Sequence, residues 1–265
     1  MRAFVVRVDP SEVELASDAL WGMGVVAVEE RLQDDGTVEL WTSLGDSEPD
    51  LHEWPSQWAW RYEQVDEGVA DTWREFATVI EVEPGLVVRP AWVPYEAPAD
   101  TTVLHIEPGA TFGMGDHPTT LLSLRAVRRL VRPGDTVLDV GCGSGVLAIG
   151  ACVFGAGSAV GIDIAPAAVP VTEANAAANA VGERVTVSTT DLADLDGEYD
   201  LVVANILAPT LVALAPDLRR VMRPGGRLVI SGILDGHYQH VLDALAPLAV
   251  EAADTLDGWA AVTLR

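Results

Sequence analysis

Residues 137–163, VLDVGCGSGVLAIGACVFGAGSAVGID, restrict the fold of this chain more than any other stretch. The run 137–140 reads as a buried strand, and it enters a loop with glycine at alternate positions, Gly141, Gly143 and Gly145. Residues 146–154 continue as a helix, and a second short strand, 159–162, ends on Asp163. Parallel strands need a crossover of this kind, so the unit predicts a parallel sheet. The glycines allow a sharp turn and let another group approach atoms that a Cβ would shield. The helix that follows brings the positive end of its dipole to the same edge. A carboxylate closing the second strand can accept hydrogen bonds from both hydroxyls of a ribose. The spacing departs from the dinucleotide fingerprint, which needs a third glycine three residues after the second, and a glycine-rich turn of some other α/β protein is the alternative to a nucleoside site. That position is Val146 here, and Gly145 comes one step early.

The same alternation continues downstream. A helix is expected over 118–131, then strand 159–163 with helix 166–180, strand 184–188, strand 200–205 with helix 209–222, and strand 226–231 with helix 235–246. Strands 248–253 and 259–264 close the chain around Leu256-Asp257-Gly258. Such a sequence calls for an α/β fold with a mostly parallel sheet covered on both faces and one antiparallel strand. Ahead of it, residues 1–44 read as a small α+β unit. Strand 3–8 leads to helix 11–21 with Ser11 as N-cap and Glu14 at the capping-box position, then to strands 25–29 and 37–42 around Asp35-Gly36. Residues 45–66, rich in Trp, Pro and acid, show no clear period; 71–78 suggests a short helix and 86–94 an extended segment. The expected division is a recognition domain over 1–66, a linker region over 67–99 and the α/β domain over 100–265.

With 265 residues and 49% hydrophobic content, a packed core is within reach. No run approaches the ~18 consecutive apolar residues that a spanning helix needs, and residues 1–14 lack a signal-peptide pattern, so a cytoplasmic protein is expected. The two cysteines, Cys142 and Cys152, read as small reduced core residues. Sixteen basic residues, all arginine, stand against 40 acidic ones, for a net charge of −24. That surface disfavours nucleic acid, whose phosphates need basic neutralisation, and favours a basic partner, against the alternative of a general adaptation of composition to a salt-tolerant or GC-rich organism.

Strand 200–205 delivers Asn205 to its carboxyl end, the edge where open α/β sheets bind ligands. An Asn carboxamide there can hold a substrate amine with its lone pair facing a reacting group; the alternative is a cap on helix 209–222. Residues 107–120, EPGATFGMGDHPTT, form a second glycine-punctuated loop. Pro118 suits the first helical turn after a cap at Asp116 or His117, and the bulky Phe112 suggests a lid, against the alternative of an ordinary capped turn. His237 and His240 lie three apart, but no third ligand joins them, so no metal site is expected. Ser144 lies in the glycine loop, and no nucleophile elbow accompanies it.

The GxGxG loop resembles that of class I S-adenosylmethionine methyltransferases. Taken with GATFGMGDHPTT, GIDI, VVANILA and PGGRLVISGIL, it resembles the ribosomal protein L-eleven methyltransferase family, PrmA. The resemblance covers residues 73–265, beginning with Trp73-Arg74 and the Arg89-Pro90-Ala91-Trp92 segment; the first 66 match only in size and order of elements. It implies a Rossmann-like, seven-stranded class I methyltransferase domain using S-adenosyl-L-methionine. Cofactor contacts are implied at Thr120, Gly141, Asp163 and Asn205, joined by Gly143 and Gly145 of the loop and Phe112 of the lid, with Asn205 also the catalytic residue. The implied reaction is methylation of lysine side-chain or N-terminal amines of a basic large-subunit ribosomal protein, by a monomer that binds no nucleic acid or membrane. Open alternatives are another protein lysine, a small amine or RNA as substrate, or an inactive cofactor-binding module. The family loop carries threonines where this chain has Met114 and Asp116.

Overall fold

The computed structural model describes residues 2–22, 25, 28–33, 35–43, 57–64, 78–107 and 115–265. It divides into two compact units, Met1–Ala77 and Thr78–Arg265.

In the smaller unit, β1 (Arg2–Val8), β2 (Val28–Leu32), β3 (Val38–Ser43) and β4 (Ala59–Gln64) form an antiparallel sheet in the order β2-β3-β1-β4. Alternation along β1 sends Phe4, Val6 and Val8 to one face, where Ala16 and Leu20 of helix α1 (Val13–Gly22) cover them. The backbone of Ser11, expected at the N-cap, lies inside a 3-10 turn, Pro10–Glu12, which Glu12 N–H closes onto the Asp9 carbonyl before α1 begins. The Asp35-Gly36 hairpin forms as expected, with Gly36 at φ 83° and Asp35 accepting from the Thr37 N–H. Strand β4 falls in the stretch without a clear period, and β2 starts at Val28 rather than at residue 25. The short helix expected over 71–78 lies outside the described residues except for its last position.

The larger unit opens with β5 (Ile80–Glu83), β6 (Leu86–Arg89) and β7 (Thr102–His105), a three-stranded sheet in that order. Residues 80–89, in the segment expected to connect the domains, pair as an antiparallel hairpin inside this unit. Helix α2 (Pro118–Leu130) follows, then β8 (Thr136–Val140), α3 (Val146–Val153), β9 (Ser158–Ile162), α4 (Ala168–Ala178), β10 (Val185–Ser188) and β11 (Tyr199–Asn205). The chain ends with α5 (Ala208–Arg220), β12 (Met222–Leu234), α6 (Gln239–Ala244), β13 (Val250–Leu256) and β14 (Trp259–Leu264). The seven-stranded sheet runs β10-β9-β8-β11-β12-β14-β13, parallel from β10 to β12, with β14 antiparallel to both its neighbours.

Period-two patterning explains why both faces are covered. Val137, Leu201, Val203 and Val229 face Leu124 and Val127 of α2, Ile149 of α3 and the small sheet. Leu138, Val202, Ala204, Leu228 and Ile230 face Leu211 and Leu218 of α5 and Val241 of α6. The helix expected over 235–246 shrinks to the six residues of α6. Strand β12 runs on to Leu234, and Gly236 at φ 75° breaks the helical path. Strand order reverses between β9 on one side of β8 and β11 on the other, which places a crevice at the carboxyl ends of β8 and β11.

Candidate active site

Helix α2 begins at that crevice. His117 is its N-cap and accepts from the Thr119 N–H, Pro118 fills the first turn, and the imidazole packs edge-on against Trp259 at 4.9 Å. Burial lowers the His117 pKa, against a smaller opposing effect of Asp116. One residue past Thr119, Thr120 is buried, and the Asn205 amide reaches its hydroxyl at 3.5 Å. Asn205 does not cap α5, whose N-cap is Leu207.

Two glycines fix where Asn205 emerges. A Cβ on Gly141, at φ 75°, would stand 2.4 Å from Ile206 Cγ2, and one on Gly232, at φ 82°, would stand 2.5 Å from the Ile206 carbonyl oxygen. Ile206 is therefore wedged between the ends of β8 and β12, and the residue before it has little freedom. The Ile206 N–H donates to the Ser231 carbonyl at 3.2 Å, and the Ser231 hydroxyl, fully buried, donates to the Ala260 carbonyl at 2.9 Å.

The glycine loop is tied down from several sides. Gly141 and Cys142 N–H both donate to the Ile162 carbonyl at 2.8 and 3.1 Å, closing the end of β8 onto β9. Asp163 accepts from the Gly143 N–H and the Ala165 N–H, both at 2.8 Å, one on each carboxylate oxygen. A carboxylate has about four lone-pair sites, so acceptor capacity remains beyond these two bonds. Gly145, at φ 79°, is the N-cap of α3. Six of the residues singled out from sequence, Thr120, Gly141, Gly143, Gly145, Asp163 and Asn205, thus stand along the carboxyl ends of β8, β9 and β11. Phe112 and Met114, and with them most of the expected lid, lie outside the described residues.

Sequence reasoning missed Asp139. It read 137–140 as an apolar run, yet Asp139 sits in the middle of β8 at 1% exposure. One of its oxygens accepts from the Ala148 N–H at 3.0 Å, in the first turn of α3. The other meets no hydrogen-bond partner among the described residues. Burial pushes its pKa up to about 7, with the Ala148 N–H opposing and the Asp163 charge adding to the rise. A carboxylate inside a fully buried strand is rare enough to have been a signal in itself. Burial, reinforced by Asp139 and Asp163, also pushes the Cys142 thiol up, so it is a packed, protonated side chain. Both cysteines are free and buried, as expected.

The structure offers a test of whether these residues suit the implied cofactor. Positive φ at three alternate glycines, a carboxylate at the end of β9 and a buried carboxylate oxygen beneath the loop are features that fit a nucleoside carrying an ammonium group.

The profile of the family described as Ribosomal protein L11 methyltransferase (PrmA) matches residues 5–265. The chain belongs to this family. A ribosomal protein L11 methyltransferase of Pelotomaculum thermopropionicum is 41% identical over 203 residues, covering 76% of this chain and 66% of that protein. Its counterpart in Moorella thermoacetica is 43% identical over 192 residues, covering 72% and 60%. The chain thus spans less than two thirds of the length of these curated relatives. A crystal structure of ribosomal protein L11 methylase from Lactobacillus delbrueckii subsp. bulgaricus superposes with a TM-score of 0.64 at 34% identity, over 71% of this chain and 96% of that one. SMU.776, solved in complex with SAH, superposes with a TM-score of 0.51 at 11% identity, over 58% of this chain and 51% of that one, which shows a shared fold. The fold is therefore that of the class I methyltransferases.

Proposed function

We propose that the chain is an S-adenosylmethionine-dependent N-methyltransferase that modifies lysine side-chain or N-terminal amines of the ribosomal protein L11. The observation that carries this reading is Asn205, held at the carboxyl end of β11 by the Gly141–Ile206–Gly232 wedge in a chain of this family. Thr120, Gly141, Gly143, Gly145, Asp163 and Asn205 would hold the cofactor, with Phe112 over it. When bound, S-adenosylmethionine supplies a methyl group on an electrophilic sulfonium.

The chain's own residues supply position. The remaining acceptor sites of Asp163 would take the ribose hydroxyls. The Asn205 amide N–H turns toward Thr120, leaving its carbonyl oxygen to accept from the substrate amine and aim the lone pair. A lysine amine with pKa ~10.4 needs about 4 kcal/mol to be neutral at pH 7.4, whereas an α-amine near 7.8 needs almost none. A desolvated crevice lowers the lysine cost by disfavouring the ammonium. The proton leaves to solvent before the amine is seated. In this reading residues 1–66 dock the ribosomal protein, the connection expected over 67–99 is confined to the part before the β5–β6 hairpin, and the larger unit to residue 265 catalyses, as a cytoplasmic monomer. The charge of −24 suits a basic partner and no direct nucleic-acid contact. Among the described residues no helix is long and apolar enough to cross a membrane.

One experiment with three arms tests this: labelled cofactor and L11 with the full chain, with Asn205→Ala, and with residues 1–66 removed. The full chain is expected to label L11. Asn205→Ala is expected to lower turnover about a hundredfold through misaligned reacting atoms, with stability nearly unchanged because Leu207 and not Asn205 caps α5. The truncated chain should bind cofactor but leave L11 unlabelled. Normal turnover by Asn205→Ala would move the acceptor site elsewhere, and labelling of small amines but not L11 would favour the other substrate class.

A further inference from the structure

Among the described residues, strand β7 has a partner strand on one side only: β6 pairs with it in parallel, and β7 is the last strand of its sheet. Its far edge carries backbone groups that a neighbouring strand would normally satisfy. Helix α4 and its C-cap, Asn179, satisfy them with side chains instead. Asn179 accepts from the His105 N–H at 2.9 Å and donates to the His105 carbonyl at 2.7 Å. Asn175 accepts from the Glu107 N–H at 2.9 Å and donates to the Glu107 carbonyl at 2.8 Å. His105 and Glu107 are two apart, so they present the same edge of an extended chain. Asn175 and Asn179 are four apart, one helical turn, on one face of the helix. A primary carboxamide offers the same donor–acceptor pair as a peptide group, so two side chains make a two-rung substitute for a strand.

The two rungs differ in their second N–H. That of Asn179, the C-cap, returns to the Asn175 carbonyl in the last turn of α4 at 2.8 Å. That of Asn175 crosses to the Ser144 carbonyl at 2.9 Å, in the glycine loop. One turn earlier, the fully buried Thr172 hydroxyl donates to the Gly143 carbonyl at 3.1 Å. Helix α4 therefore grips two successive carbonyls of the loop. Because a trans peptide points its C=O and N–H to opposite sides, the Ser144 N–H is held away from α4. Asn175 itself is 3% exposed and spans two chain segments with three hydrogen bonds.

We propose that Asn175, helped by Thr172, is a positioning residue for the cofactor. It sets the loop Gly141–Gly145 in the same frame as the exit of β7, whereas Asn179 supports the strand alone. The inference rests on the cofactor reading of the glycine loop. Its test is calorimetric affinity for S-adenosylhomocysteine beside thermal denaturation of the ligand-free protein. Asn175→Ala and Asn179→Ala are both expected to lower the melting temperature, since each strands strand-edge groups. Only Asn175→Ala should weaken the affinity, by about tenfold, because a buried loop carbonyl loses its donor and the loop relaxes. Thr172→Val keeps the volume, removes the neighbouring anchor, and should weaken affinity by about threefold; it decides the matter if Asn175→Ala does not fold. Unchanged affinity in Asn175→Ala, equal losses in the two Asn variants, or unchanged affinity in Thr172→Val would overturn the proposal. Wild-type protein that takes up no S-adenosylhomocysteine would overturn the cofactor reading itself.

Discussion

Asp139 ties stability to pH in a direction opposite to the common one for carboxylates. Its ordinary value is 3.8 and burial raises it to about 7. Between those two values the unfolded chain has lost the proton while the folded chain keeps it. Stability then falls by about 1.36 kcal/mol per pH unit as pH rises. The contribution is complete below pH 3.8 and is lost as pH passes 7, about 4 kcal/mol in all. Between pH 5 and pH 8 the change is about 2.5 kcal/mol, because part of the titration lies outside that window.

The variant Asp139→Asn keeps an acceptor for the Ala148 N–H and removes the titration. Urea unfolding followed by helical circular dichroism reads the larger unit, which holds five of the six α-helices among the described residues. The stability of wild type minus that of Asp139→Asn should fall by about 2.5 kcal/mol from pH 5 to pH 8, with the denaturant slope unchanged. Groups remote from Asp139 cancel in the difference. A flat difference across that range would mean that Asp139 ionises as an ordinary surface carboxylate, and the argument from burial would fail.

Replacing Asp163 by Ala removes the acceptor for Gly143 and Ala165 as well as the proposed ribose contact, so affinity for S-adenosylhomocysteine should fall at least about tenfold; calorimetry with unchanged affinity would take Asp163 out of the site. Gly232→Ala places a methyl group 2.5 Å from the Ile206 carbonyl oxygen at φ 82° and should cost about 1–3 kcal/mol; equal stability in urea unfolding would show that the wedge is soft. Cys142, buried and protonated, should resist iodoacetamide at pH 8 in the folded protein and react in urea. Mass spectrometry showing fast alkylation of the folded form would contradict its packing.

The α/β unit was legible because its signals are local. Val137, Leu138, Leu201–Ala204 and Leu228–Ile230 are apolar at every position that faces a helix layer, and each strand is followed by its turn residues. Strand β4 was hidden by its composition, although Trp60 and Tyr62 do alternate toward Phe4, at 5.3 and 5.6 Å. The β5–β6 hairpin had its turn signal in Pro84-Gly85, where Gly85 adopts φ 77°, but each strand is only four residues long. The helix over 235–246 was overestimated because the end of β12 is fixed by its neighbour: Leu234 pairs with Trp259, a contact the local pattern does not encode. Asp163 and Asn205 could be placed at the carboxyl edge of the sheet because one follows β9 and the other ends β11. Asn175 and Asn179 could not, since their partners lie 68 and 74 residues away and only the fold brings them together.

Much of this site is built from groups that hold backbone in place and need no ligand to do so. Asp139 fastens the first turn of α3, Asp163 fastens Gly143 and Ala165, and Thr172 and Asn175 fasten the carbonyls of Gly143 and Ser144. The wedge of Ile206 between Gly141 and Gly232 does the same for Asn205. A loop already fixed in this way has little left to lose in conformational freedom when a cofactor arrives, so more of the contact energy appears as affinity. Methyl transfer asks an enzyme for alignment, with no nucleophile of its own. The proposed chemistry and the architecture therefore make the same demand, and Asp139, Thr172 and Asn175 meet it through backbone groups of the loop and of α3.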